Sequence, residues 1–299
     1  MKLLRYGPPG REKPAVLDKS GRLRDLSEHI DDVARLALLP DSLEYIGFLD
    51  RDKLPLVEGT PRIGPCVGHV GKIIGVGLNY ADHAAESGMP VPAEPPLFFK
   101  PTSAIVGPND DVEIPLRSEK TDWEVELGVV IGEPAKHVTR ERAMWHVAGY
   151  CIVNDVSERA YQLERGGQWD KGKGCDTFAP LGPWLVSPNE ISDPQNLDLW
   201  LEVDGHRFQN GNTRTMIVGV AELISYISQF MTLYSGDVIA TGTPPGVGLG
   251  QKPPKYLRAG QTMRLGITGL GVQQQRTVDA IAPAIESSQH AHQPKRLKA

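Results

Sequence analysis

The sequence predicts a β-rich α+β fold, on three observations. Short runs of alternating apolar residues recur at 125–131, 149–153, 199–203, 238–241 and 263–267, and a period of two marks a strand. Stretches with helical spacing are fewer, chiefly 156–165 and 220–230, and they do not alternate regularly with strands, which argues against a doubly wound sheet. The 32 glycines and 25 prolines supply the turns that many short strands need.

Composition bounds the rest. A chain of 299 residues fits one large domain, or one domain with a small companion. With 40% hydrophobic and 23% charged residues it can bury a sizeable core. A net charge of −5 without a basic stripe argues against nucleic acid and anionic membranes as partners. The three cysteines, Cys66, Cys151 and Cys175, are far apart and form no CxxC pair. That speaks against a zinc or disulfide framework and fits a reducing compartment. The opening residues are too short an apolar run for a signal peptide, and no stretch approaches the ~20 apolar residues of a membrane helix. A cytoplasmic protein is expected.

Along the chain, residues 1–71 read as a small N-terminal α/β domain. Residues 2–6 and 15–17 look like strands, divided by Gly7-Pro8-Pro9-Gly10, and Lys19-Ser20-Gly21-Arg22 is a hairpin-type turn. Ser27 is placed to cap a short helix through Ile30, Val33 and Leu36, and Pro40 and Pro55 break the pattern. A larger domain follows over 72–284. Residues 73–77 form a strand with small residues where the backbone approaches something closely. Residues 79–86 are helical in character and run into Gly88, Pro90, Pro92, Pro95 and Pro96, a candidate lid, before a short strand at 97–101. Residues 285–299, polar and basic, are expected to be a disordered tail.

The strongest chemical signal is Trp123-Glu124-Val125-Glu126-Leu127. On a strand, Glu124 and Glu126 share one face. Two carboxylates that close repel, and a divalent cation removes the conflict. Asp155 ends a second apolar run, Tyr150-Cys151-Ile152-Val153-Asn154. Three carboxylates with no His or Cys make a hard oxygen site suited to Mg²⁺, Mn²⁺ or Ca²⁺ rather than zinc. Each residue also has a plainer reading. Glu-x-Glu is common on solvated strands, and Asp155 is placed to cap a helix.

Other candidates surround this set. His83 and Glu86, spaced i, i+3, meet on one helix face, as a general base and the carboxylate that orients it; a surface ion pair gives the same spacing. Lys171 and Lys173 lie among glycines, where a lysine could add positive charge beside an enolate. Thr241-Gly242-Thr243-Pro244-Pro245-Gly246 follows a strand and could grip a carboxylate. It is no Walker loop, and Gly75-Val76-Gly77 lacks the third glycine of a dinucleotide fingerprint.

Six stretches together closely resemble the fumarylacetoacetate hydrolase family. They are Gly77-Leu78-Asn79-Tyr80-Ala81-Asp82-His83, Phe99-Lys100-Pro101, Glu124-Val125-Glu126-Leu127, Asn154-Asp155-Val156-Ser157-Glu158-Arg159, Lys173-Gly174-Cys175-Asp176-Thr177 and Thr241-Gly242-Thr243-Pro244. The resemblance spans residues 72–280. It implies a mixed β-sandwich roll, a homodimer, and one metal per subunit, Mg²⁺ or Mn²⁺, on Glu124, Glu126 and Asp155. It implies His83 and Glu86 as a water-activating dyad on a lid, and Lys173 as the active-site lysine. Thr243 matches the residue that binds the oxo-acid carboxylate. Arg159 and Gln162 match substrate contacts of the tyrosine-pathway hydrolases, and Tyr80 and Lys100 fall in matching motifs as further substrate-binding candidates. The chain departs from those hydrolases in two places. Gly166 stands where they carry a tyrosine, and their fourth, upstream carboxylate ligand has no counterpart. A substrate other than fumarylacetoacetate is therefore expected. The opening residues and overall length resemble bacterial members that cleave 2,4-diketo-3-deoxy-fuconate or -rhamnonate to pyruvate and lactate.

The expected activity is thus metal-dependent hydrolysis of a C–C bond in a 2,4-dioxo acid. The same constellation also serves decarboxylation of oxaloacetate or isomerisation of 2-hydroxyhepta-2,4-dienedioate. A non-catalytic binding protein on the same fold is the alternative from another class.

Overall fold

The computed structural model of the chain describes residues 1–282 apart from Ser87 and Met89; the expected tail at 285–299 lies outside the described residues. The N-terminal strands are β1 (Lys2–Tyr6), β2 (Lys13–Leu17) and β3 (Leu23–Asp25), followed by α1 (Pro40–Phe48), β4 (Ile73–Val76), α2 (Ala81–Glu86) and β5 (Leu97–Lys100). Then come β6 (Ile105–Val106), β7 (Val112–Ile114), β8 (Thr121–Asp122), β9 (Val125–Ile131), α3 (Arg140–Ala143) and β10 (Val147–Asn154). The rest are β11 (Ser157–Glu158), α4 (Arg159–Leu163), α5 (Asp170–Lys173), β12 (Ala179–Val186), β13 (Asp198–Val203), β14 (His206–Asn212), α6 (Val220–Phe230), β15 (Val238–Ala240), β16 (Thr262–Ile267) and β17 (Gly271–Asp279). Among the described residues no helix is long and apolar enough to cross a membrane.

The strands make a large mixed sheet in the order β3-β2-β1-β12-β10-β9-β15-β4-β5, with β6 beside β12, a five-stranded sheet β14-β13-β16-β17-β7, and the small pair β11-β8. This is the β-rich α+β architecture the strand pattern predicts, with few helices. Strands β9 and β10 are buried along their whole length. They read as near-continuous apolar runs because both faces are covered.

The first 71 residues do not close a sheet of their own. Strand β1 pairs antiparallel with β12, Leu3 opposite Leu185, and Met1, Leu3, Val16 and Leu38 join the same core as Val129 and Ile239. The helix expected from Ser27 is not formed. Asp32 instead accepts from its neighbour Val33 N at 2.8 Å and from Arg5 Nε at 2.6 Å, a local side-chain bond that competes with helix. The helix starts at Pro40, whose missing N–H costs nothing in a first turn. The helical spacing at 156–165 is also shortened. Ser157 and Glu158 pair with β8, and α4 begins only at Arg159, capped by the Glu158 carboxylate, which accepts from Ala160 N at 3.0 Å. Asp155 is therefore not a helix cap.

Candidate active site

The antiparallel register of β9 and β10 builds the centre of the site. Val125 lies opposite Asn154 and Glu126 opposite Val153, so the first residues of one strand neighbour the last of the other. Asp155 N donates to Glu124 O at 2.9 Å and Glu124 N to Asn154 Oδ1 at 3.3 Å, fastening the two ends. Glu124, Glu126 and Asp155 are brought to one point, each with an oxygen within 4.8 Å of the others. All three are buried.

Cations contact two of the three. Lys173, at the end of α5, donates 2.6 Å bonds to Glu124 Oε2 and to Asp155 Oδ2. Arg159 donates to Glu124 Oε1 at 2.5 Å, to Asp122 Oδ2 at 2.8 Å and to Gln162 Oε1 at 3.0 Å. Lys100 Nζ lies 2.6 Å from Asp155 Oδ1 and also donates to the carbonyls of Val156 and Lys173. Burial opposes the charge on Glu124, but Lys173 and Arg159 outweigh it and hold that carboxyl well below the usual range. Burial likewise works against Lys173, yet Asp155 and Glu124 raise its pKa. For Lys100 burial wins, and its pKa falls.

Glu126 is the exception. It accepts from Gly242 N at 2.8 Å but has no cation beside it among the described residues. Burial, then the charges of Asp155 and Glu124, push its carboxyl well above the usual range. Four buried carboxylates (Asp122, Glu124, Glu126, Asp155) face three buried cations (Lys100, Arg159, Lys173), so positive charge is missing at Glu126. An all-oxygen donor set short of positive charge fits a hard divalent cation such as Mg²⁺ or Mn²⁺. Such an ion would share Glu124 and Asp155 with the Lys173 ammonium.

His83, Glu124, Glu126, Asp155, Arg159, Gln162, Lys173 and Thr243 line one cavity, with Val76, Gly77, Leu78, Phe98, Trp169 and Leu249. Among the described residues the buried His83 Nδ1 has no hydrogen-bond partner; it lies 3.8 Å from Glu86 Oε2. That is beyond hydrogen-bond length; Glu86 Oε2 instead accepts from Gly246 N at 2.8 Å. Burial acts to raise the Glu86 pKa, but the neighbouring imidazole and the Gly246 N–H bring it below its ordinary value. Thr243 Oγ1 donates to Val125 O at 2.8 Å and accepts from Gln209 Nε2 at 2.7 Å. Glu86, Tyr80 and Lys100 are not part of the lining. Tyr80 is buried with its hydroxyl unpartnered, and burial and Glu126 raise its pKa. Lys171 is exposed, its ammonium on the Arg165 carbonyl at 2.7 Å. Of the lid-like loop, Glu94 accepts from Tyr226 of α6 at 2.8 Å.

Sequence reasoning passed over Asp122, Phe98, Trp169 and Leu249. Asp122 Oδ1 accepts from Gly248 N at 2.6 Å and Trp123 N at 2.8 Å; Oδ2 accepts from Leu249 N at 2.9 Å and Arg159 Nε at 2.8 Å. One buried carboxylate thus fastens both Arg159 and the loop carrying Leu249. The alternation that selects Glu124 and Glu126 also selects position 122, so the signal was present. Asp122→Ala should cost about 3–5 kcal/mol, because it leaves a buried guanidinium half-paired. Urea denaturation tests this, and a loss under about 1 kcal/mol, the worth of an exposed ion pair, would contradict it.

A buried carboxylate triad thus meets lysine, arginine and histidine around one cavity, at the joined ends of two central strands. Residues 72–278 match the family model for the C-terminal domain of fumarylacetoacetate hydrolase. A relative from Burkholderia multivorans, under a provisional name that goes no further than hydrolase, is 68% identical over 278 residues, covering 93% of this chain and 99% of its own. Among solved structures, fumarylacetoacetate hydrolase from Exiguobacterium antarcticum is 35% identical with a TM-score of 0.82, covering 94% of this chain and 100% of its own. 2-Hydroxyhepta-2,4-diene-1,7-dioate isomerase from Mycobacterium marinum is 31% identical with a TM-score of 0.71, covering 93% and 98%. The chain belongs to the fumarylacetoacetate hydrolase family.

Proposed function

We propose that this protein is a divalent-metal-dependent hydrolase that cleaves the C3–C4 bond of a 2,4-dioxo acid and releases pyruvate. The observation that carries the reading is the meeting of the Glu124–Glu126–Asp155 cluster, the Lys173 ammonium and the His83 imidazole around one cavity. Mg²⁺ or Mn²⁺ on the three carboxylates would supply Lewis-acid polarisation of a keto oxygen. The chain's own groups do the rest. His83 takes a proton from water, and the resulting hydroxide adds to the C4 carbonyl. The C3–C4 bond breaks with its electron pair on C3, delocalised to the C2 oxygen. Lys173, already held beside the cluster, meets that negative charge. Protonation at C3 gives pyruvate, and the C4 fragment leaves as an acid. Glu86 is close enough to orient His83 after a small side-chain rotation. Thr243 and Arg159 hold the substrate's oxygens.

For the sugar acids 2,4-diketo-3-deoxy-L-fuconate and -rhamnonate the second product is lactate, and these are the substrates we favour. The 3.8 Å gap between His83 and Glu86 supports a second reading, in which the enolate is formed by isomerisation or decarboxylation without activated water. Incubation of the full chain with Mg²⁺ and synthetic acylpyruvates should release free pyruvate, read by coupled lactate dehydrogenase. No pyruvate from any acylpyruvate, with either ion, would remove the hydrolytic reading.

A further inference from the structure

We propose that the cavity selects 2-oxo acids carrying a single negative charge, with an uncharged and largely apolar far end. The proposal rests on the reading of the site as a 2-oxo acid site, and narrows it. Two observations carry it, one of charge and one of shape.

The charge observation is that no cation at the cavity is free for a second carboxylate. Among the described residues only Lys173 and Arg159 bring a fixed positive charge to the lining. Lys173 is held at 2.6 Å by both Glu124 and Asp155. Arg159 is held by Asp122 at 2.8 Å and Glu124 at 2.5 Å. Each of the two touches two carboxylates, Glu124 being shared between them, so neither is left without a partner. A divalent ion would turn the one missing positive charge at Glu126 into one in excess, which a single ligand carboxylate balances; a distal carboxylate would remain unpaired in a buried site.

The shape observation is an apolar wall. Phe98 lies with its ring 4.8 Å from Lys173 Nζ and 5.7 Å from the Trp169 ring. The backbone is cut back to admit both rings. A Cβ on Gly75 would sit 2.1 Å from the Phe98 ring, and one on Gly77 2.4 Å from the Trp169 ring. Leu249 completes the wall, its N–H fixed by Asp122. Gln162, whose carbonyl accepts from Arg159 at 3.0 Å, offers its amide N–H donors but no counter-charge. Unpaired charge against such a wall discriminates more strongly than any lost apolar contact.

Calorimetric titration of the Mg²⁺-loaded chain with two uncleavable five-carbon ligands tests this. 2-Oxopentanoate and 2-oxoglutarate differ only in a terminal methyl or carboxylate. The monoanion should bind about thirtyfold more tightly or better, the lower end of what one unpaired buried charge costs. Leu249→Lys, whose side chain starts at the half-buried rim, should erase or reverse that preference. Equal or tighter binding of 2-oxoglutarate by the unaltered chain would overturn the proposal, as would an unchanged preference in Leu249→Lys. Release of pyruvate from 2,4-dioxopentanoate is followed in parallel. If none appears while the monoanion is still preferred, hydrolysis fails and the selectivity stands; binding of neither ligand sinks both.

Discussion

Replacing Glu126 with Ala is expected to abolish divalent-metal binding and to lower turnover by at least about 10²–10³, the loss typical of one strong charge contact at a reacting centre. Glu124 and Asp155 each already hold cations, so removing either also disturbs Lys173 or Arg159. Glu126 touches no cation among the described residues, and its loss isolates the effect of the metal. Stability should move the other way. In the metal-free fold its carboxyl sits well above the ordinary carboxylate range, through burial and then the charges of Asp155 and Glu124. A folded-state pKa above the unfolded value means the native chain binds the extra proton. Stability is then highest below the unfolded value and declines as pH rises through the folded one. Metal-free Glu126→Ala should therefore match or exceed the parent's melting temperature at neutral pH, while losing the shift that Mg²⁺ gives the parent. That shift corresponds to about 2.7 kcal/mol at a hundredfold excess over Kd. In the parent, Mg²⁺ should displace the Glu126 proton, so calorimetric heats should depend on buffer and affinity should rise with pH. Full activity in chelator, or an unaltered Mg²⁺ shift in the variant, would remove the metal from the account.

How far the sequence discloses this site depends on how local each part is. The carboxylate faces follow from strand alternation, and β9 and β10 are long apolar runs that could hardly be anything else. Their pairing is long-range, but it needs only that two buried strands meet, which puts Glu124 and Asp155 at the joined ends. Asp122 obeys the same alternation but lies ahead of the apolar run of β9, in the short strand β8 that pairs with β11. Phe98, Trp169 and Leu249 come from three distant segments, and nothing local ties them to a cavity. Strand β12 shows no period-two run because Pro180, Gly182 and Pro183 interrupt it, yet it runs between β1 and β10, with a register shift where it meets Tyr150. The false helix at Ser27 shows the converse. Ile30, Val33 and Leu36 have helical spacing, but Leu36 is 75% exposed, so there is no common face to bury. The family motifs are legible because each is a short contiguous run that needs no knowledge of how distant segments pack.

His83→Ala decides which reaction the cluster performs. In hydrolysis the imidazole must take a proton from water, and losing a positioned general base costs about 10²–10⁴ in rate. Decarboxylation or isomerisation through the same enolate needs no activated water, so those rates should fall far less. The geometry makes the comparison informative, because His83 touches none of the cations that hold the cluster together. Its Nδ1 has no partner among the described residues, so its removal should leave Mg²⁺ binding intact, as a thermal-shift control would show. Glu86→Gln should have a smaller effect than His83→Ala. At 3.8 Å Glu86 influences the imidazole mainly by its charge, and the amide can still accept from Gly246. The measurement pairs pyruvate release from an acylpyruvate with CO₂ release from oxaloacetate on the same preparations. Hydrolysis within about threefold of the parent in His83→Ala, well short of a general base's worth, would show that the water is activated elsewhere. Equal losses on both substrates would instead make His83 a binding residue, and the dyad would drop out of the mechanism while the carboxylate centre remained.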